Sequence, residues 1–174
     1  MMLVGGARAL GLAAIVAGTL VLAGTLVAAA VETVAFKGAV AAGTIVIKTR
    51  ERRLYFVLAE GRALRYPIGV GRAGREWSGS SYINAKFLRP NWAPPLEIRR
   101  DRPDLPEVVA SGSPSNPMGA AAMTLAGGPY AIHGTNAPDS IGGFVSYGCI
   151  RMYNSDITDL FARVDLGTPV IVMP

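Results

Sequence analysis

The N-terminal part of the chain differs from the rest in its hydrophobic pattern. Residues 9–31 form one apolar run without a charged side chain. From residue 44 onward, short runs rich in β-branched and aromatic residues alternate with polar or glycine-containing turns, a pattern typical of β-strands. We therefore predict an apolar segment over residues 1–30, a tether over residues 31–43 and one mainly β domain over residues 44–174.

The strand pattern is clearest at the start of this domain. Residues 44–49 and 53–58 flank a polar turn around Glu51, which predicts a hairpin. Later runs also predict strands, and one of them ends on a histidine. These later runs are residues 63–68, 81–88, 120–125, 129–133 and 170–172.

A helical period replaces the strand period after Cys149. Asn154 or Ser155 can cap a helix whose apolar side chains share one face, and these are Ile157, Leu160, Phe161 and Val164. A shorter helix is predicted after Pro95, because proline is favoured in a first turn. The pattern thus predicts a mainly β domain with one or two short helices.

The apolar N-terminal run has the order of an export signal. Arg8 precedes it, and the small residues Ala28, Ala29 and Ala30 end it. The run is also long enough to span a bilayer, so a cleaved signal peptide and an uncleaved anchor through residues 9–31 both stay open. Both alternatives export the domain, to the periplasm or the outer face of the cytoplasmic membrane.

Composition narrows the class of protein. The chain has 174 residues, a formal net charge of +5 and one cysteine. A basic balance suits anionic partners, but export and the lack of a basic stripe interleaved with aromatic residues argue against nucleic acid. A single cysteine cannot form an internal disulfide, and an unpaired exported thiol suggests a function.

A glycine pattern at residues 69–74 matches the GxGxxG spacing of dinucleotide-binding turns. In those turns the phosphate is held by the N-terminus of a helix that follows directly. Residues 75–81 do not begin a helix with an apolar face. We therefore expect neither a nucleotide nor another cofactor here.

The single histidine and the single cysteine are the strongest candidates for chemistry. Fifteen residues rich in turn formers separate His133 from Cys149, a length that suits two strand ends joined by a loop. A thiol needs a base or a favourable field to become nucleophilic, and His133 is the one imidazole available. On residue types alone, a buried structural cysteine and a hydrogen-bonded structural histidine are the more common explanation of such a pair.

The local sequence resolves this choice. His133-Gly134-Thr135-Asn136, followed after the loop by Ser146-Tyr147-Gly148-Cys149-Ile150-Arg151-Met152, resembles the catalytic motif of the L,D-transpeptidase (YkuD-type) family. The resemblance covers about residues 43–174 and implies that family's β-sandwich of mixed sheets. It includes further short motifs at residues 66–71, 89–95, 116–119 and 167–170.

The motif assigns roles to individual residues. Cys149 is the expected nucleophile, and His133 the expected proton acceptor and donor. The resemblance implies that the Gly134 carbonyl orients the imidazole and that Arg151 faces substrate carboxylates. We expect the backbone amides of Tyr147, Gly148 and Cys149 to hold an oxyanion, Ser146 and Tyr147 to contact substrate, and no metal to take part. Because a helix is predicted to follow Cys149, its field should lower the pKa of the thiol.

The family's reaction is the one that the resemblance implies for this chain. Its cysteine attacks the third-residue carbonyl of a peptidoglycan stem tetrapeptide, releases D-alanine, and passes the acyl group to an amine. That acceptor is a second stem peptide or, as another possibility, a wall-attached protein. The chain departs from the family at Tyr147, where a second histidine is usual.

Two other functions remain open from the sequence. One is a thiol amidase, in which water takes the acyl group. The other is a wall-binding module without turnover, whose Cys149 should react slowly with iodoacetamide near neutral pH.

Overall fold

A computed structural model describes residues 31–174, so the predicted export segment over residues 1–30 lies outside the described residues. None of the helices within residues 31–174 is long and apolar enough to cross a membrane. The helices are α1 (Leu96–Asp101) and α2 (Asn154–Arg163), with one 3₁₀ turn at Pro138–Ser140. The strands are β1 (Glu32–Ala35), β2 (Ile45–Lys48), β3 (Arg53–Val57), β4 (Arg62–Pro67), β5 (Val70–Gly71), β6 (Gly79–Leu88), β7 (Ala121–Leu125), β8 (Ala131–His133), β9 (Phe144–Ser146), β10 (Ile150–Arg151) and β11 (Pro169–Met173).

The strands form mixed sheets, as predicted. A nine-stranded sheet has the order β1-β4-β3-β2-β11-β6-β7-β8-β10, and β5 pairs with β9 in a second, two-stranded sheet. Most neighbours are antiparallel, whereas β11 with β2, β10 with β8, and β5 with β9 are parallel. The closing strand β11 therefore lies in the middle of the large sheet, between β2 and β6.

The predicted tether over residues 31–43 is wrong. Residues 32–35 form β1, which pairs antiparallel with β4 in the register Glu32 to Arg65. Val34, Phe36 and Val40 pack against a small cluster of buried residues in β2, β3 and β4. Mixed composition hid this edge strand, because apolar and polar residues do not alternate along it and it is held by pairing with β4.

The main hydrophobic core joins the large sheet to α2. Ile132 of β8 and Ile150 of β10 are at most 1% exposed, and Ile157 and Leu160 of α2 are fully buried in the same cluster. The helix thus presents the apolar face that the sequence predicts. This cluster buries one face of β8 and β10 and leaves the opposite face for polar side chains.

The beginning of α2 differs from the predicted cap. The residue before the helix is Tyr153, and neither Asn154 nor Ser155 caps it with a side chain. Asn154 is instead the first helical residue, and its side-chain oxygen accepts hydrogen bonds from the Ala120 and Thr135 amides at 3.0 and 3.1 Å. The side chain therefore holds two neighbouring loops against the helix.

The end of α2 is held by a lysine on another strand. Lys86 of β6 donates to the carbonyl oxygens of Phe161 and Val164 at 2.7 and 2.5 Å, and its ammonium lies 4.2 Å from the centre of the Phe161 ring. The last carbonyls of a helix lack partners within the helix and attract positive charge. This contact therefore stabilises α2 and joins it to the large sheet.

Replacing Lys86 with methionine should destabilise the domain while keeping most of the packing volume. Loss of charge-assisted hydrogen bonds to carbonyls that become unpaired should lower the free energy of unfolding by about 1–3 kcal/mol. Urea unfolding followed by circular dichroism measures this change. Lys37→Met, at an exposed lysine outside the helix contact, is the matched control, and equal stability of the two variants would contradict the capping role.

Candidate active site

The pairing of β8 with β10 brings the predicted site residues together. The two strands are parallel, with Ile150 opposite Ile132 and Arg151 opposite His133. Paired residues in adjacent strands point to the same side of a sheet, and side chains alternate along each strand. Ile132 and Ile150 face the core, so His133, Arg151 and the preceding Cys149 share the opposite face.

His133 is buried, and its ring orientation is fixed. The side chain is 4% exposed, and its Nδ1 lies 2.7 Å from the carbonyl oxygen of Gly134. A carbonyl can only accept a hydrogen bond, so Nδ1 carries the proton and Nε2 keeps a lone pair in the neutral imidazole. This contact is the one that the family resemblance implies for Gly134.

The surroundings keep His133 neutral. Burial, and secondarily the positive charge of Arg151, lower the pKa of His133 to about 4, while backbone carbonyls of Gly134 and Pro117 act in the opposite direction. The imidazole is therefore an unprotonated base at neutral pH. It can accept a proton from a thiol without first losing one.

Cys149 differs from its predicted environment. It is followed by the short strand β10, and α2 begins only at Asn154, so no helix N-terminus lies directly after the thiol. Burial raises the pKa of the Cys149 thiol above its usual 9.0, although a backbone hydrogen bond at Ala131 and the charge of Arg151 lower it in part. The expected lowering of the pKa by a helix is therefore wrong, because the helix is absent at that position.

Arg151 contributes positive charge to the same sheet face. Its side chain forms no salt bridge within residues 31–174, and its Nε is buried without a hydrogen-bond partner there. Burial lowers the pKa of the Arg151 guanidinium, and the nearby Cys149 raises it in part. A partly buried guanidinium without a salt-bridge partner favours binding of an anion beside it.

Ser146 stabilises the loop that carries the cysteine. Its hydroxyl donates to the Cys149 carbonyl at 2.6 Å and accepts from the Gly148 amide at 3.0 Å, and the residue is 2% exposed. The structure thus differs from the predicted substrate contact, because this hydroxyl is buried and already bonded inside the loop. The Gly148 amide is likewise occupied, unlike the free oxyanion donor that the sequence suggested.

Two of the three backbone amides predicted to bind an oxyanion are free to donate a hydrogen bond within residues 31–174. Within residues 31–174, the Tyr147 and Cys149 N–H groups have no hydrogen-bond acceptor. Unpaired amides next to a nucleophile are the donors that acyl transfer requires. We therefore limit the candidate oxyanion donors to Tyr147 and Cys149.

The Tyr147 side chain is held by charged residues outside the motif. Its hydroxyl donates to Asp101 of α1 at 2.5 Å, and the Arg72 guanidinium lies 4.0 Å from the ring centre. Arg72 also donates to Asp101 at 3.1 Å, and Arg75 pairs with Glu97 of α1. The hydrogen bond from Tyr147, followed by that from Arg72, lowers the pKa of the Asp101 carboxyl.

Three contributors to the site were not predicted from the sequence. Asp101 holds Tyr147, Asn154 holds the loop after His133, and Trp77 donates to the Gly148 carbonyl at 2.9 Å. A β-carbon at Gly134 would collide with the Asn154 side chain, which explains the glycine. None of the three lies in the motif, and each acts across a long sequence separation, so no local signal marked it.

The raised pKa of the Cys149 thiol predicts slow alkylation at neutral pH. Only the thiolate reacts, so the iodoacetamide rate should rise roughly tenfold per pH unit from pH 7 to pH 9 without a plateau. His133 is already neutral in this range, so His133→Ala should keep the slope. Mass spectrometry of the alkylated protein measures both rates. A plateau near neutral pH that disappears in His133→Ala would instead reveal a thiolate–imidazolium pair.

Known proteins resemble this chain over most of the β domain. The family model described as the L,D-transpeptidase catalytic domain matches residues 42–172. The probable L,D-transpeptidase ErfK/SrfK of Escherichia coli is 41% identical over 136 residues, which cover 74% of this chain and 43% of that protein. The chain thus matches less than half the length of this relative.

Solved structures share the fold. An L,D-transpeptidase from Mycobacterium smegmatis is similar with a TM-score of 0.60 and 18% identity, over 75% of this chain and 58% of that one. The L,D-transpeptidase LdtMt1, solved in complex with imipenem, is similar with a TM-score of 0.56 and 18% identity, over the same shares of the two chains. The chain belongs to the L,D-transpeptidase catalytic-domain family.

Proposed function

We propose that this domain is a peptidoglycan L,D-transpeptidase that uses Cys149 as its nucleophile. The observation that carries the proposal is the 2.7 Å contact between His133 Nδ1 and the Gly134 carbonyl oxygen. The Nδ1–H of His133 is held by the Gly134 carbonyl, which leaves Nε2 as a base on the sheet face that it shares with Cys149. The E. coli relative, whose name describes a probable L,D-transpeptidase, supports the reaction class.

The first half of the reaction acylates the enzyme. The Cys149 sulfur forms a bond to the third-residue carbonyl carbon of a stem tetrapeptide, and His133 takes the thiol proton. The carbonyl oxygen becomes an oxyanion, to which the Tyr147 and Cys149 amides donate. The C–N bond then breaks, and His133 gives its proton to the departing D-alanine amine. A thioester remains on Cys149.

The second half transfers the acyl group. An amine from a second stem peptide attacks the thioester carbonyl, and His133 accepts its proton. The C–S bond breaks, and the proton returns to sulfur, which restores the neutral thiol and the neutral imidazole. Because both groups are held neutral in the free enzyme, no separated charge has to be created before substrate binds.

Arg151 gives this site its preference for acidic peptides. Its guanidinium forms no salt bridge within the described residues and lies on the face that carries Cys149 and His133. A stem peptide carries free carboxylates, and a planar guanidinium can bind a carboxylate through two hydrogen bonds. Substrate carboxylate is therefore the ligand that we assign to Arg151. Tyr147 contributes its backbone amide, while its ring is held by Arg72 and Asp101.

Export completes the proposal. The apolar run over residues 9–31, with Arg8 before it, directs the domain to the periplasm or the outer face of the cytoplasmic membrane, as a cleaved signal or as an anchor. Peptidoglycan lies in that compartment, and an acceptor in the form of a wall-attached protein would be found there too.

Incubation with a purified tetrapeptide muropeptide tests the function directly. We expect cross-linked dimers and free D-alanine, detected by liquid chromatography and mass spectrometry, and neither product with Cys149→Ser. Shortened monomers without dimers would instead identify water as the acceptor and a thiol amidase as the enzyme. Binding of muropeptide without any product would indicate a wall-binding module.

Iodoacetamide reactivity does not separate enzyme from binder, contrary to the expectation from sequence. Burial raises the pKa of the Cys149 thiol, so slow alkylation near neutral pH is expected of the enzyme as well. Acylation is the informative reaction, because it requires the base and the oxyanion donors in addition to sulfur.

Acylation by imipenem tests the roles of His133 and Tyr147. His133→Ala should reduce the acylation rate by about 100-fold or more, because the thiol loses its proton acceptor. Tyr147→Phe should keep the rate within about threefold, because the ring under Arg72 and the backbone amide both remain. The mass increase of the intact protein with time measures both. A larger loss of acylation in Tyr147→Phe than in His133→Ala would show that His133 is not the base.

A further inference from the structure

Trp77 forms a hydrogen bond with the loop that carries Cys149, and the proposed mechanism gives this residue no role. The residue lies in the loop between β5 and β6, and its indole Nε1–H donates to the Gly148 carbonyl oxygen at 2.9 Å. Gly148 directly precedes Cys149. The bond therefore acts on the peptide unit that carries the Cys149 amide.

The geometry of a peptide unit makes this bond relevant to the reaction. The peptide bonds of residues 31–174 are trans, so the Gly148 carbonyl and the Cys149 N–H point in opposite directions from one rigid plane. By holding the carbonyl, Trp77 sets the direction of the N–H. That N–H has no acceptor within residues 31–174 and is one of the two candidate oxyanion donors.

A second aromatic residue keeps Trp77 in place. The Tyr130 ring stacks on the Trp77 indole with a centroid distance of 4.6 Å and an interplanar angle of 5°. Tyr130 also lies against Gly148, where an added β-carbon would be only 2.5 Å from the ring atom Cε1. The glycine is thus required by the aromatic pair and by its own φ of +116°.

We propose that Trp77 is a positioning residue for the oxyanion-binding amide of Cys149. This role rests on the proposed acyl transfer, and Trp77 acts through the Gly148 peptide without touching the substrate. The Cys149 N–H must be aimed at the carbonyl oxygen as the Sγ–C bond forms and negative charge moves onto that oxygen. Preorganised donors of this kind avoid the cost of reorientation during the reaction.

Two reactions of the same sulfur separate this role from general packing. Acylation by imipenem passes through an oxyanion, whereas alkylation by iodoacetamide displaces iodide at a saturated carbon and forms no oxyanion. A variant that merely loosens the loop should change both rates in similar proportion. A variant that misdirects the Cys149 amide should slow acylation alone.

Trp77→Phe is the test variant, because phenylalanine keeps a ring against Tyr130 but removes the N–H donor. We expect the second-order rate of imipenem acylation to fall about 10- to 100-fold, somewhat less than deletion of a whole oxyanion donor. The alkylation rate at the same pH should stay within about twofold. Trp92→Phe, the same change at the other tryptophan of the chain, should alter neither rate.

The outcomes are distinct for each proposal. Equal losses in acylation and alkylation, or an unchanged acylation rate in Trp77→Phe, would overturn the positioning role and leave the transpeptidase function intact. If the wild-type domain itself were not acylated by imipenem, the proposed acyl transfer would fail, and the role of Trp77 with it. Selective loss of acylation in Trp77→Phe alone would support both.

Discussion

Parallel pairing between β8 and β10 is the constraint on which the site depends. These two short strands place Arg151 directly opposite His133 and turn Ile132 and Ile150 into the core. Because Ile132 and Ile150 must face the core, their neighbours His133 and Arg151 must face the opposite side of the sheet. A register shift of a single residue would move His133 and Arg151 to the core face and their isoleucine neighbours to the cleft.

Burial of this face determines the charge states of the proposed catalytic pair, Cys149 and His133. Moving His133 away from water disfavours its protonated form, and moving Cys149 away from water disfavours its thiolate. Arg151 acts on both in the same electrostatic sense, because its positive charge opposes protonation of the imidazole and favours the thiolate. Burial dominates for Cys149, so the pair rests as thiol and imidazole, and in the proposed reaction proton transfer would accompany attack on the carbonyl.

The sequence predicted those elements whose signal is local. Strands β2, β3 and β4 follow runs of β-branched and aromatic residues, and α2 follows its apolar period. The proposed roles of Cys149 and His133 rest on a motif. Strands β1, β5, β9 and β10 were missed, because they are short and owe their existence to partners distant in the chain. The pKa of Cys149 was predicted in the wrong direction for the same reason, since β10 was taken for the approach to a helix.

Close backbone contacts explain two of the glycines in the GxGxxG run at residues 69–74. Gly69 forms a backbone bridge with Arg151, and a β-carbon there would lie 2.8 Å from the Ser140 carbonyl oxygen. A β-carbon at Gly71 would collide with the backbone of Arg75. These glycines therefore let the chain approach β10 and then fold back tightly. The turn that they form leads to Arg75 and Trp77, so this close backbone packing brings those side chains to the loop of Cys149.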